Sequence, residues 1–401
     1  MKIIVILSSK YSKEQRFVLY HWLELWNNFE VTYKTDNIKD VVIKMKNIEF
    51  RFKSIFFEKM NKLGIVQKLF NKIQTINYRS YVAKSFSNSN EILHKKDNGK
   101  VVINADLIGT AFYFMSDFQS LINNQYDRFG RISANKSPNK KLISRPIVNE
   151  LFELFKSIVE DYVPEVKWKK HGFKILPSHD VDHPFEIYKL DKRHFVKNLV
   201  GDVVIRRKNL LKRLSQYFYN NRELNDRYNT FKWILNQEKN HEAIFYFFAG
   251  NFNINNPDYK IGAKHIMNIV DIIRKEGKEI GIHLGLGSST DSLIALKERK
   301  NIQSQNIDVC KNRFHYLSFN NPKSIDILEN IGIKEDSTMS FFDEAGFRTG
   351  CCYKHYLWNF AEQEMSSVLE NPLVFMEGTI LDDSSTYEEA ERQINILKTE
   401  V

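Results

Sequence analysis

The chain has 401 residues, 42% of them hydrophobic and 27% charged, with a formal net charge of +10. That size and balance give room for two or three domains and a sizeable core, and exclude a disordered or fibrous chain. Three cysteines, two of them adjacent at Cys351 and Cys352, exclude a disulfide framework or a CxxC metal knuckle and point to a reducing compartment.

In chain order, KIIVIL (2–7) reads as a buried first strand, because its apolar run is too short for a signal-peptide core. No run of about 18 apolar residues follows, so no membrane span is expected and the predicted location is cytoplasmic. FVLYHWLELW (17–26) has the spacing of a helix with aromatic faces. VVINADLIGT (101–110) starts as a strand and continues as an amphipathic helix, and YDRFGRI with ANKSPNKKLISRP forms a polar, proline-terminated loop. RPIVNELFELFKSIVEDYV (145–163) is a helix of period 3.6, and the charged connector EVKWKKHG (165–172) marks a domain boundary. Residues 1–165 are therefore expected to be one smaller α/β domain and 172–401 a second.

Past residue 172 short apolar runs alternate with helical stretches. The expected strands are GFKIL, EAIFYFFAG, EIGIHLG, RFHYLSF, GIKEDST and PLVFMEGT. YNTFKWILNQEKN and YKIGAKHIMNIVDIIRKEGK read as helices between them. Strand and helix alternating in this way predicts a parallel α/β sheet or barrel, whose chemistry gathers at the C-terminal strand edge. Segment 189–213 stands apart as a basic amphipathic helix, with nine Lys and Arg against Asp191 and Asp202. It is either a solvated insertion or a guide to an anionic membrane surface or phosphate-bearing substrate. The net charge also favours anionic partners, but no zinc finger or aromatic-interleaved basic motif predicts nucleic-acid binding.

The chemistry concentrates in SHDVDHP (178–184), where two aspartates and two histidines crowd the expected end of GFKIL. Crowded carboxylates repel unless a cation or a shared proton relieves them. Further ionisable residues fall at successive strand ends: His283, then Arg313 and His315, then Asp336, then Glu377. One Asp and two His make a ligand set for a hydrolytic divalent ion with positions left for water. Asp180 and Asp182 are two apart in an extended segment and point the same way, so one can ligate while the other acts as base. A neighbouring arginine can hold that base ionised. For His179 and His183 the expectation is a hydrogen bond that fixes the aspartate loop.

These motifs resemble those of the polysaccharide deacetylases, the NodB-type carbohydrate esterases related to family 4. SHDVD is similar to a spaced form of their T-F-D-D motif, GKEIGIHLG to their ligand-histidine strand, and RFHY (313–316) to their R-x-P-Y motif. KEDSTMSF resembles the aspartate-serine strand that follows. AFYFMSDFQSLINNQYDRFGRI, SRPIVNELFELF, YNTFKWI, FYFF and GFRTG resemble the uncharacterised N-terminal domain and shared segments of one bacterial branch of that family. The resemblance implies a deformed (β/α) barrel over 172–401, here without its last strand because ERQINILKTEV stands in that place. It implies Asp180 as base oriented by Arg313, and Asp182 and His283 as ligands of one divalent ion, zinc first, with cobalt, nickel or manganese as alternatives. The family's second ligand histidine falls at Gly287, so its role passes to His315 at the adjacent strand end. Asp336, Glu377 and Arg348 are assigned to substrate, Arg348 either as a clamp for an acidic or phosphorylated sugar or as a surface ion pair.

The implied activity is N-deacetylation of an amino sugar in an intracellular precursor of capsule or lipopolysaccharide. Deformylation of a lipid-linked formamido sugar is the second expectation. A non-catalytic carbohydrate-binding or scaffold protein on the same fold is the third. The location that goes with this activity is the cytoplasm, with peripheral attachment to the inner face of the membrane through 189–213.

Overall fold

The computed structural model describes residues 2–60, 73–87, 93–96, 99–122, 126–185, 226, 228–250, 256–257, 259–383 and 386–399. The basic segment 189–213 lies outside the described residues. The chain is mixed α/β and divides into two compact units. Unit 1 comprises Met1–Phe173, Tyr316–Glu329 and Glu335–Val401; unit 2 comprises Lys174–His315 and Asn330–Lys334. The first boundary falls beside the charged connector, but most of the chain after 315 clusters with the N-terminal part rather than with 174–315.

Unit 1 begins with β1 (Ile3–Ser8), the strand expected from KIIVIL, followed by α1 (Ser12–Leu19) and a wider π-turn over Tyr20–Leu25. The strands β2 (Val31–Asp36), β3 (Val41–Met45), β4 (Ile48–Phe52), β5 (Ile73–Tyr78), β6 (Tyr81–Ser87), β7 (Leu93–Lys96), β8 (Lys100–Ile103) and β9 (Ala105–Asp106) follow. They form a six-stranded mixed sheet, β2-β1-β3-β4-β8-β7, and a three-stranded antiparallel sheet, β5-β6-β9. Next comes α2 (Leu107–Met115), apolar on every side and buried at every residue. The Asp106 side chain caps its N-terminus by accepting from the Gly109 N–H at 2.8 Å. The amphipathic α3 (Ile147–Tyr162) buries Leu151, Phe152, Leu154, Phe155 and Ile158 in the same core.

Unit 2 carries β10 (Ser178–Val181), β11 (Ile244–Phe247), β12 (Glu279–Leu284) and β13 (Lys311–Phe314), paired in that order and all parallel. Parallel neighbours need crossovers. α4 (Lys264–Lys275) connects β11 to β12, and α5 (Ser292–Gln303) connects β12 to β13. Ile266, Ile269, Val270 and Ile273 make one buried stripe on α4. The strand interiors Ile244, Phe245, Phe247, Ile282, Leu284 and Phe314 are fully buried, as both faces of a parallel sheet require. The order β10-β11-β12-β13 is open at β10, so no closed barrel forms among the described residues.

Two expected strands are absent. GFKIL is irregular, with Phe173 56% and Ile175 38% exposed, and the strand starts instead at Ser178. Pro177 has no N–H to give a ladder, although its carbonyl accepts from the Ile244 N–H at 3.1 Å. The ionisable residues of SHDV therefore lie within the strand. PLVFMEGT is also not a strand: a helix starts at Glu377, where an acidic residue in the first turn complements the helix dipole. GIKEDST shrinks to β14 (Glu335–Asp336). Unit 1 closes with the unanticipated hairpin β15 (His355–Asn359) and β16 (Glu364–Glu370), and with a helix over Tyr387–Thr399.

Candidate metal centre and hydrolytic site

Three strands of unit 2 end at one place. β10 delivers Asp180 and, just past its end, Asp182; β12 delivers His283 one residue before its end; β13 delivers Arg313, with His315 in the turn behind it. That turn bends sharply because Tyr316 and Leu317 take left-handed φ values of 59° and 55°, which non-glycine residues adopt at a cost of about 1 kcal/mol or more each.

His283 is the anchor. It is 1% exposed, and its Nδ1 lies 2.6 Å from the Arg313 carbonyl. A carbonyl can only accept, so Nδ1 carries the proton and the Nε2 lone pair faces the other way. On that side lie His315 Nδ1 at 3.2 Å and Asp182 Oδ1 at 3.6 Å. His315 Nδ1 and Asp182 Oδ1 are 3.8 Å apart. Two bonds of about 2.05 Å at a tetrahedral angle separate ligand atoms by about 3.3 Å. The three donor atoms are therefore at or within about half an ångström of the spacing that one zinc-like ion requires, and they lie within 4.8 Å of one another. The carbonyl behind His283 is the kind of outer partner that orients a ligating imidazole.

Asp180 stands beside this triad. Its Oδ1 accepts from Arg313 Nη1 at 2.9 Å, while its Oδ2 is 3.9 Å from His283 Nε2. Arg313 Nη2 donates to Ser178 Oγ at 2.8 Å, and the guanidinium lies 4.7 Å from the centre of the Tyr246 ring. Surrounding protein opposes the charge on Asp180. Arg313 and then the two imidazoles outweigh it and hold the carboxyl below its ordinary range. The Asp180 side chain remains 29% exposed, so an incoming molecule can reach it.

The structure thus brings together Asp180, Asp182, His283, Arg313 and His315 in unit 2. The other three assigned residues lie in unit 1. Arg348 is buried, donating to Asp117 Oδ2 at 2.6 Å and to the Ser340 carbonyl at 3.3 Å, so it is neither a surface ion pair nor exposed to a ligand. Asp336 is fully buried and accepts from the Thr338 N–H at 3.1 Å and hydroxyl at 2.9 Å. Glu377 is exposed in the first turn of its helix. Of the flanking histidines, His179 bonds to Glu238 at 2.8 Å, and His183 is exposed.

Sequence reasoning missed Ser178, Tyr246 and Phe248. Phe248 presents its ring to both imidazoles, with centroids 4.6 Å from His283 and 4.8 Å from His315. The run FYFF held the signal, since alternate residues of a strand share a face.

Residues 4–164 match the model of a family of unknown function, DUF7033. The match falls on the N-terminal part of unit 1 and carries no activity with it. No curated protein and no solved structure matches the chain. Among the described residues, no helix is long and apolar enough to cross a membrane.

Proposed function

We propose that unit 2 hydrolyses the N-acyl amide of an amino sugar, with one divalent ion held by Asp182, His283 and His315. A deformed barrel of the deacetylase type, of which β10 to β13 would be the described strands, is part of this proposal. The observation that carries it is the convergence of a His-His-Asp donor set with a second, arginine-held carboxylate at neighbouring parallel strand ends.

An ion there would supply Lewis acidity, which activates water and polarises the acyl carbonyl near neutral pH. Asp180 is the base. Arg313 occupies its Oδ1 and keeps it ionised, which leaves Oδ2 on the side of the imidazoles to take the proton of the attacking water. Ser178 fixes the second arm of Arg313 and so the orientation of that carboxylate. The substrate in this reading is a lipid-linked or nucleotide-linked saccharide precursor on the cytoplasmic side. Attachment to an anionic membrane surface through 189–213 belongs to the same reading.

The test combines metal content with acyl release. The purified chain should hold about one zinc, cobalt, nickel or manganese per molecule and release acetate from N-acetylated amino sugars. Formate released preferentially from N-formyl substrates would assign it as a deformylase. Asp180→Asn should keep the metal and lose turnover by about a hundredfold or more. A chain that takes up no stoichiometric metal, even on reconstitution, would be a binding or scaffold protein instead.

A further inference from the structure

Tyr259 lies outside the ligand set but between two of the strand ends that build its surroundings. The ladder joining β10 to β11 stops at the pair Val181 and Phe247. Just past that point the Tyr259 hydroxyl accepts from the Phe248 N–H at 2.7 Å and donates to the Val181 carbonyl at 2.8 Å. Val181 sits between Asp180 and Asp182. Phe248 packs its ring edgewise on His283 and His315. One hydroxyl thus ties the strand end that carries both aspartates to the residue that walls both histidines.

We propose that Tyr259 is a positioning residue of the metal centre: its hydroxyl cross-links the ends of β10 and β11 and sets the spacing between Asp182 and the His283–His315 pair. The hydroxyl carries the connection between these two strand ends past the last ladder pair. Burial and then the Asp182 charge push the phenol's pKa well up, so it stays protonated and able to donate. Phenylalanine at 259 would keep the ring beside Phe248 but take the hydroxyl partner from two buried backbone groups. The strand ends would then relax apart and carry Asp182 away from the imidazoles. The ligand part of this inference rests on the proposed metal site; the cross-link does not.

The test is Tyr259→Phe in the full chain, with Tyr78→Phe as control, since Tyr78 bonds Asp161 in unit 1. Cobalt(II) titration followed by visible absorption should show a dissociation constant about 10–100-fold weaker in Tyr259→Phe, with an altered band, and no change in the control. Amide hydrogen exchange should speed up in peptides covering 178–184 and 244–250 and nowhere else. Unchanged exchange in those peptides, or acceleration spread over the whole chain, overturns the inference. Local acceleration with unaltered cobalt affinity and spectrum also overturns it, because the cross-link would then not set the ligands. If the wild-type chain binds no cobalt, the metal reading fails by itself. Local acceleration then still supports the cross-link that positions Asp180 and Asp182.

Discussion

Gly281 lies on β12 two residues before His283, on the same face of the strand. A methyl group there would drive into the Tyr246 ring and approach the Lys311 carbonyl at 3.1 Å. Tyr246 is the ring beneath Arg313, and Arg313 holds Asp180. Gly281→Ala should therefore act along that line. It should destabilise the chain by about 1–3 kcal/mol through overpacking, and lower acyl release more than tenfold while the chain still binds cobalt. Loss of cobalt binding together with turnover would mean that the strain spreads along β12 to His283. Asp106 offers a separate case in unit 1. Its carboxylate accepts from the N–H groups of Gly109, Ile55 and Phe56 at 2.8, 2.7 and 2.6 Å. Asp106→Asn replaces an acceptor oxygen with an NH2 that must face an N–H, and should cost about 2 kcal/mol in urea unfolding. An equal midpoint and slope would show that the site repacks.

The π-turn that follows α1 places His21 against β15. Its Nδ1 donates to the Phe17 carbonyl at 2.6 Å and its Nε2 accepts from the Tyr356 N–H at 2.8 Å, so the ring must be neutral. Burial pushes its pKa down to about 3, and burial lowers that of His355 to about 4. In the unfolded chain both titrate near 6.5. Stability from these two rings is thus present above about pH 6.5 and is lost as pH falls below it. Asp106 works in the opposite sense. Burial raises it to about 6, so between about pH 6 and the unfolded carboxylate value of about 3.9 the folded chain holds a proton that the unfolded chain has lost. Near pH 5, unfolding therefore takes up two protons at the histidines, while carboxyls that burial raises, Asp106 and Glu370 among them, release theirs and offset that uptake. His21→Gln removes one uptake and leaves the carboxyls in place. Between pH 6 and 5 it should therefore lose about 1 kcal/mol less stability than the unsubstituted chain in urea unfolding, and an equal slope in the two would refute the assignment.

At the scale of the molecule, residues 335–401 complete the core of residues 1–173. Trp358 on β15 is 1% exposed and packs edge-on against Phe17 and Phe112, at centroid distances of 5.3 and 5.1 Å. Arg348 reaches Asp117 in a pair that is almost wholly buried. The core of residues 1–173 thus includes side chains from beyond residue 335, although the family match ends at 164. Trp358→Ala should cost about 3–5 kcal/mol. A chain ending at residue 173 should lack a cooperative thermal transition by circular dichroism; a sharp transition would show that the N-terminal part folds alone.

Periodicity and local spacing by themselves determine much of this protein. The alternation of KIIVIL, EAIFYFFAG and EIGIHLG with helices of period 3.6 specifies a mixed α/β chain, because both signals live within a few residues of one another. The candidate site is legible for a related reason: in parallel sheets, side chains at successive strand ends must gather along one edge, and Asp180, Asp182, His283, Arg313 and His315 all fall at such ends. Strand limits are less legible, since GFKIL and PLVFMEGT are apolar enough for strands but find no partner ladder. The return of 335–401 to the first unit is hidden from local pattern, as is the burial of Arg348. Contacts such as Arg348 with Asp117, 231 positions apart, depend on which surfaces meet in three dimensions. The same holds for Arg313 with Asp180, 133 apart, whose ion pair forms only because two intervening strands align their ends. Local pattern determined which residues could do chemistry; only the packing of distant segments decided which of them meet.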